Sequence, residues 1–149
     1  MPADHISALT DPLEDLLSYQ LRRAALVTLS ELVDSFARLG LTPTEAIIIR
    51  FVAANDGCTQ AEIGRALGVK RTNMVPIVNG LMTKELLERF AVDGRSHSLH
   101  LTRQAHALHR KITKISLEHE ARFFGDVPEQ TKQVLLQTLR ALRAKAGPS

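Results

Sequence analysis

The stretch from Thr59 to Thr102 constrains this chain more than any other. It opens with a short segment, TQAEIGRALGV, in which Thr59 and Glu62 have capping-box spacing and Gly68 provides a stop. A second amphipathic segment follows, KRTNMVPIVNGLMTKELL, with Met74, Ile77, Val78 and Leu81 on one stripe at helical period. Two β-like runs, expected at Leu86–Ala91 and Ser98–Leu101, then flank AVDGRSHS, where Asp93-Gly94 signals a hairpin. A short helix, a tight turn, a second helix and a basic hairpin describe a winged helix-turn-helix. Such a unit presents one helix to a major groove and a cationic loop to a minor groove. Sequence-specific reading of double-stranded DNA is therefore the leading expectation. An ordinary helical hairpin inside a bundle would explain the two helices, but not the wing that follows them.

The rest of the chain is read as helical, giving a mainly α fold with one small β-hairpin. Asp11-Pro12 suits a helix opening, and the helix is expected to run to Leu39 before Gly40. Thr42-Pro43-Thr44-Glu45 is a second capping box, and AIIIRFVAA behind it is apolar nearly all round, as a central buried helix would be. Thr102 caps a long helix with a stripe at Ala105, Leu108, Ile112, Ile115, His119 and Phe123. Pro128 starts a last helix carrying Leu135, Leu139 and Leu142. The expected organisation is one chain, 1–149, with a DNA-binding lobe at 42–102 and dimerisation helices at 11–39 and 103–146. Aromatic residues are only 4% of the chain and Trp is absent, so the core must rest on aliphatic helix packing. The long first helix and the seam on the fifth exceed what one small lobe can cover, which points to a homodimer.

Net charge is only +3, so local clustering matters more than the total. With the apolar stripe of the second helix buried, its outward residues are Arg71, Thr72, Val75, Pro76 and Asn79. Arg71 and Asn73 carry groups capable of bidentate contacts with bases, and Thr72 can serve base or phosphate. Lys70 and Lys84 are expected on phosphates, giving affinity without sequence reading. At the hairpin tip, Arg95 with Ser96 and His97 suits a narrow minor groove, and Asp93 is expected to hold Arg95 extended through an ion pair. Pro76 cannot donate to the Thr72 carbonyl, so a kink or a loosened first turn is expected around Thr72–Pro76.

These motifs together resemble the MarR family of transcriptional regulators. The family's wing pattern of Asp, any residue, Arg, and then Leu-x-Leu-Thr is met by Asp93, Gly94, Arg95 and Leu99, His100, Leu101, Thr102. Its recognition-helix region is similar to GVKRTNMVPIVNGLMTKELLER. The likeness runs from about residue 12 to the C-terminus and is most specific over 59–102. It implies a triangular homodimer with interleaved first, fifth and sixth helices, a pseudo-palindromic operator, and release by a small ligand. The family's pocket between dimer helices and DNA-binding lobe would be lined here by Tyr19, Arg22, Arg23 and Arg50. An aromatic acid or its acyl-CoA thioester is the inducer class that resemblance suggests. Departures are Ala105 and Glu85 where glycine is usual, and Pro76 where a polar or basic residue is usual.

Other readings keep the fold but change the input. His106 and His109 stand three apart on one helix with His97 and His100 nearby, but no second-ligand pattern such as Cys-x-x-Cys accompanies them, so no metal or cofactor is expected. Cys58 precedes a helix start, which favours a thiolate, yet a half-buried structural thiol fits better than a redox switch. A metal- or thiol-responsive regulator, or a winged protein-interaction module without DNA, are the alternatives. No nucleophilic or phosphate-cradling motif stands out, so the chain is expected not to be an enzyme. The acids in MPADHISALTDPLEDLL and the lack of a spanning apolar run lead to the expectation of a cytoplasmic protein without membrane association.

Overall fold

In the computed structural model the described residues are 9–145. They form α1 (Leu17–Ala37), α2 (Pro43–Ala54), α3 (Gln60–Leu67), α4 (Arg71–Thr83), β1 (Leu87–Ala91), β2 (His97–Leu101), α5 (Arg103–Phe124) and α6 (Glu129–Ala144). The fold is mainly α with one antiparallel hairpin, β1–β2, paired from Leu87 with Leu101 to Ala91 with His97. Ala146, the last residue of the expected C-terminal helical region, lies outside the described residues.

Both capping boxes form. The Thr42 hydroxyl accepts from the Glu45 amide while the Glu45 carboxylate accepts from the Thr42 amide, and Thr59 and Glu62 do the same. Thr102 caps α5 through the Ala105 amide. Asp11 does not open α1. Its carboxylate accepts from the Leu13 amide and the Tyr19 hydroxyl, shaping a turn, and the helix begins at Leu17. A side chain that satisfies a nearby amide can cap a turn as readily as a helix.

The central helix is α2, with Ile48, Ile49 and Val52 fully buried. Around it close Phe36 of α1, Ile63 of α3, Met74, Val78 and Leu81 of α4, Leu99 of β2, and Ala105 and Ile112 of α5. This small aliphatic core carries α4 on its apolar stripe and leaves the opposite face in solvent. The α5 stripe is spent partly within the chain: α5 packs on α2 and α1, and His119 Nε2 lies 2.8 Å from the Thr28 carbonyl oxygen. Uncovered apolar side chains gather instead on α1 (Leu17, Leu26, Val27, Leu29) and on α6 (Val134, Leu135, Leu136, Leu142).

Three helices end in the same way. After α1, α3 and α4 a left-handed residue is followed by an amide that reaches back five residues: Leu41 to Phe36, Val69 to Gly64, Leu86 to Leu81. This closure favours glycine at the left-handed position, because a Cβ there meets the following carbonyl oxygen. Gly40 and Gly68 fill it at the first two, but Glu85, at φ 58°, fills it at the third. The chain keeps the turn because buried Leu81 and Leu86 pin its two ends and Thr102 donates its hydroxyl to the Glu85 carbonyl at 2.7 Å. Glu85→Gly is expected to stabilise the protein by about 1 kcal/mol, visible as a rise of a few degrees in the melting temperature.

Candidate nucleic-acid interface

Recognition-helix candidates stand on α4. Met74, Val78 and Leu81 face inward; Arg71, Thr72, Asn73, Val75, Pro76 and Asn79 are exposed. Pro76 lies within a helix that runs unbroken from Arg71 to Thr83. The expected loosening of the first turn does not occur, since the Asn73 and Met74 amides both close on the Lys70 carbonyl. Five residues from the helix start, Pro76 costs one hydrogen bond, while the buried stripe on both sides of it holds the segment down. Lys70 precedes the helix without a side-chain cap, and no acid occupies the first turn. The positive end of the helix dipole therefore adds to Lys70 and Arg71 rather than being neutralised.

The wing tip is built around Asp93. Its carboxylate accepts from the Arg95 amide at 2.9 Å, the Ser96 amide at 2.7 Å and the Ser96 hydroxyl at 2.7 Å. Those same bonds hold the Asp93 carboxyl below its ordinary value, with a small addition from His97. The expected Asp93–Arg95 ion pair is not formed among the described residues. Asp93 shapes the turn through the backbone, which leaves the Arg95 guanidinium to project into solvent. Ser96 is half-buried and His97 exposed beside it.

Helix and wing face one another across an open groove of about 750 Å³. Lys70, Arg71 and Asn79 line one side, and Arg95, Ser96 and His97 line the other. Thr72, Asn73 and Pro76 are exposed on α4 but do not line the groove. Arg65 of α3 and Arg89 of β1 also line it, with Arg89 Nη2 3.4 Å from Gln60 Oε1. Sequence reading missed both, because α3 and β1 meet only through the fold. Their single legible trait is a basic side chain outside every apolar stripe.

Lys84 has a different task from the one expected. Its ammonium lies 2.8 and 2.9 Å from the two Glu45 carboxylate oxygens and 2.9 Å from the Gly40 carbonyl. All three donors are spent, so none is left for a phosphate. Burial pushes the Glu45 carboxyl up, but Lys84 and the Thr42 amide together bring it below its ordinary value. The pair ties the C-terminal end of α4 to the α1–α2 corner.

Of the four residues expected around a ligand, Tyr19, Arg22 and Arg23 lie on α1 and Arg50 on α2. Tyr19 and Arg23 share Asp11: the Tyr19 hydroxyl donates to it at 3.0 Å and the Arg23 guanidinium approaches it at 3.7 Å. Arg22 is exposed on α1. Arg50 belongs to α2 beside His109, whose pKa is lowered by burial and then by the charges of Arg50, His106 and Arg110. Cys58 is half-buried, and burial, followed by the Glu62 charge, pushes its thiol up, which disfavours the reactive thiolate. Among the described residues no group of three or more His, Cys, Asp or Glu side chains converges as metal ligands would. No described helix is long and apolar enough to cross a membrane.

A solvent-facing helix on a buried stripe, a preceding short helix packed across it and a basic hairpin on the same side define a winged helix-turn-helix DNA-binding protein. The comparisons agree. Residues 39–96 match the MarR family model. A transcriptional repressor, CouR, solved bound to a 23-mer DNA duplex, is 30% identical, with 92% of this chain and 99% of that one covered at a TM-score of 0.83. CouR bound to p-coumaroyl-CoA is 27% identical, covering 91% of this chain and 97% of that one at 0.79. The S. aureus MepR–DNA complex, at 20% identity, covers 87% of this chain and 97% of that one at a TM-score of 0.79, and shares the fold. The chain belongs to the MarR family and is a DNA-binding transcriptional regulator rather than an enzyme.

Proposed function

We propose that this protein is a homodimeric repressor that reads a pseudo-palindromic operator and is released by a small acidic ligand. The groove between α4 and the wing carries the reading: five cationic side chains, Lys70, Arg71, Arg65, Arg89 and Arg95, line one concave surface. In this reading α4 enters a major groove, where Arg71, Thr72, Asn73 and Asn79 reach base edges and Pro76 packs on the bases or sugars. Lys70, Arg65 and Arg89 take phosphates, while Arg95, flanked by Ser96 and His97, enters the adjacent minor groove. Asp93 keeps the tip in shape.

The lobe is assigned to 42–102, and the helices at 11–39 and 103–146 to dimerisation. Exposed apolar side chains on α1 and α6 support that division, because contiguous apolar surface of this kind marks association. A twofold dimer doubles the phosphate contacts and matches the symmetry of a palindrome. Ligand release follows if binding near the lobe–dimer junction changes the distance between the two recognition helices, since both must fit successive grooves. CouR, the relative solved with p-coumaroyl-CoA, supports an aromatic acid or its CoA thioester as the ligand class.

Footprinting on the DNA upstream of its own coding sequence, followed by binding to the protected duplex across a salt series, tests the reading. Affinity should fall steeply with salt, by about 10³-fold or more between 50 and 200 mM, and a scrambled duplex should bind far more weakly. Equal affinity for both duplexes would leave a protein-interaction module as the better account. Release of the operator by p-coumaroyl-CoA, but not by CoA alone, would place the ligand in the proposed class.

A further inference from the structure

One side-chain network in the wing serves neither the core nor the groove. His100 Nδ1 lies 2.7 Å from Asp56 Oδ1, and His100 Nε2 lies 3.0 Å from Ser98 Oγ. The Ser98 hydroxyl is also 3.4 Å from the Phe90 carbonyl oxygen. The Phe90 ring meets the imidazole edge-on, with centroids 5.4 Å apart. The order of the three groups is that of a nucleophilic triad, but Ser98 is buried against the hairpin and its oxygen offers no face to a substrate.

The backbone explains what the network can do. β2 is paired on both edges: with β1 on one, and with the α2–α3 turn on the other. On that second edge the Gly57 amide donates to the Leu99 carbonyl at 3.0 Å, the Leu99 amide donates to the Cys58 carbonyl at 2.8 Å, and Thr59 bridges to Ser98. Thr59 is also the cap of α3. His100 spans this edge from above, packed over Gly57, where a Cβ would come within 3.5 Å of its ring. Nδ1 faces the Asp56 carboxylate and Nε2 the Ser98 hydroxyl, so both ring nitrogens are engaged in the span. The carboxylates facing the imidazole are Asp56 across the turn and Glu88, its register partner on β1.

We propose that His100 is a positioning residue for DNA binding, fixing the angle at which the wing leaves the helix-turn-helix and hence where Arg95 arrives. The inference rests on the reading that Arg95 contacts DNA. Arg95 lies five residues from His100 toward the tip, at most about 16 Å along the chain, so a tilt of about 10° at the base moves the tip by up to about 3 Å. That displacement is enough to lose a hydrogen bond. Asp56 is largely exposed, so the pair adds little to global stability, and its effect belongs to geometry.

The test is a double-mutant cycle on the full-length protein with the footprinted duplex at fixed salt. His100→Ala should weaken binding about 5- to 10-fold with the melting temperature nearly unchanged. In an Arg95→Ala background the same change should add less than twofold, because the tip contact it positions is already gone. Asp56→Ala breaks the same pair from an exposed position, should weaken binding to the same extent, and replaces His100→Ala in the cycle if that variant folds poorly. Unaltered binding by Asp56→Ala, or losses that multiply in the double variant, would overturn the proposal while leaving the wing contact standing. Unaltered binding by Arg95→Ala alone would overturn the wing reading and the inference with it.

Discussion

Arg95→Ala is expected to cut operator affinity about 100-fold at moderate salt. The Arg95 side chain stands free at the hairpin tip because Asp93 spends its carboxylate on the Arg95 and Ser96 amides and the Ser96 hydroxyl. Truncation therefore leaves the turn intact and removes only the guanidinium. One cationic groove contact is worth about 1–3 kcal/mol, and about 1.4 kcal/mol within that range is tenfold. A twofold complex loses it twice, which multiplies the loss. The dependence of log affinity on log salt should also become shallower by about one unit per wing, as fewer counterions are released. Lys84→Ala should leave that slope unchanged, since the Lys84 ammonium is committed to Glu45 and the Gly40 carbonyl. Parental affinity in Arg95→Ala, measured by titration into labelled duplex, would remove the wing from the mechanism.

The second large effect concerns stability. Lys84→Ala is expected to destabilise the protein by about 2 kcal/mol at pH 7. It strands a Glu45 carboxylate that is 8% exposed as a residue. Breaking a fully buried ion pair costs about 3–5 kcal/mol, and the half-exposed lysine reduces that figure. The pH dependence follows from the direction of the Glu45 shift. Its carboxyl is held below its ordinary 4.5 in the folded protein, so the stabilisation is complete above that value and fades as pH falls through the folded-state value. Without Lys84, burial pushes the same carboxyl up against the Thr42 hydrogen bonds alone, so protonation costs the variant less than the parent. Denaturation curves of parent and variant at equal protein concentration should lie furthest apart near neutrality and converge below about pH 4. A gap that stays constant with pH would mean that the pair contributes through packing alone.

Much of the fold is legible because its signals are local. Thr42 with Glu45, Thr59 with Glu62, and Thr102 announce helix starts within four residues, and Gly68 announces a stop. The stripe of Met74, Val78 and Leu81 fixes which side of α4 is buried. Asp93-Gly94 places the hairpin, with β2 beginning one residue earlier than expected, at His97. Other features need the third dimension. Nothing near Lys84 in sequence reveals that Glu45 and Gly40 lie within reach of its ammonium. Arg65 and Arg89 join the groove only after β1 has folded beside α3. Asp11 shows the limit of local signals, since Asp-Pro satisfies the chemistry of a helix cap and of a turn equally. The expected ligand set is drawn from two elements, with Tyr19 and Arg23 of α1 around Asp11 and Arg50 of α2 beside His109, and those local partners are invisible in sequence.

The sixteen residues of α6 pack on no other element to any substantial extent, and four of their large apolar side chains remain open to water. A segment of that length is barely helical when isolated. In the proposed dimer its order would be acquired when two chains meet, making assembly a folding step rather than the docking of finished parts. On that proposal, dilution would erode α6 before the DNA-reading half.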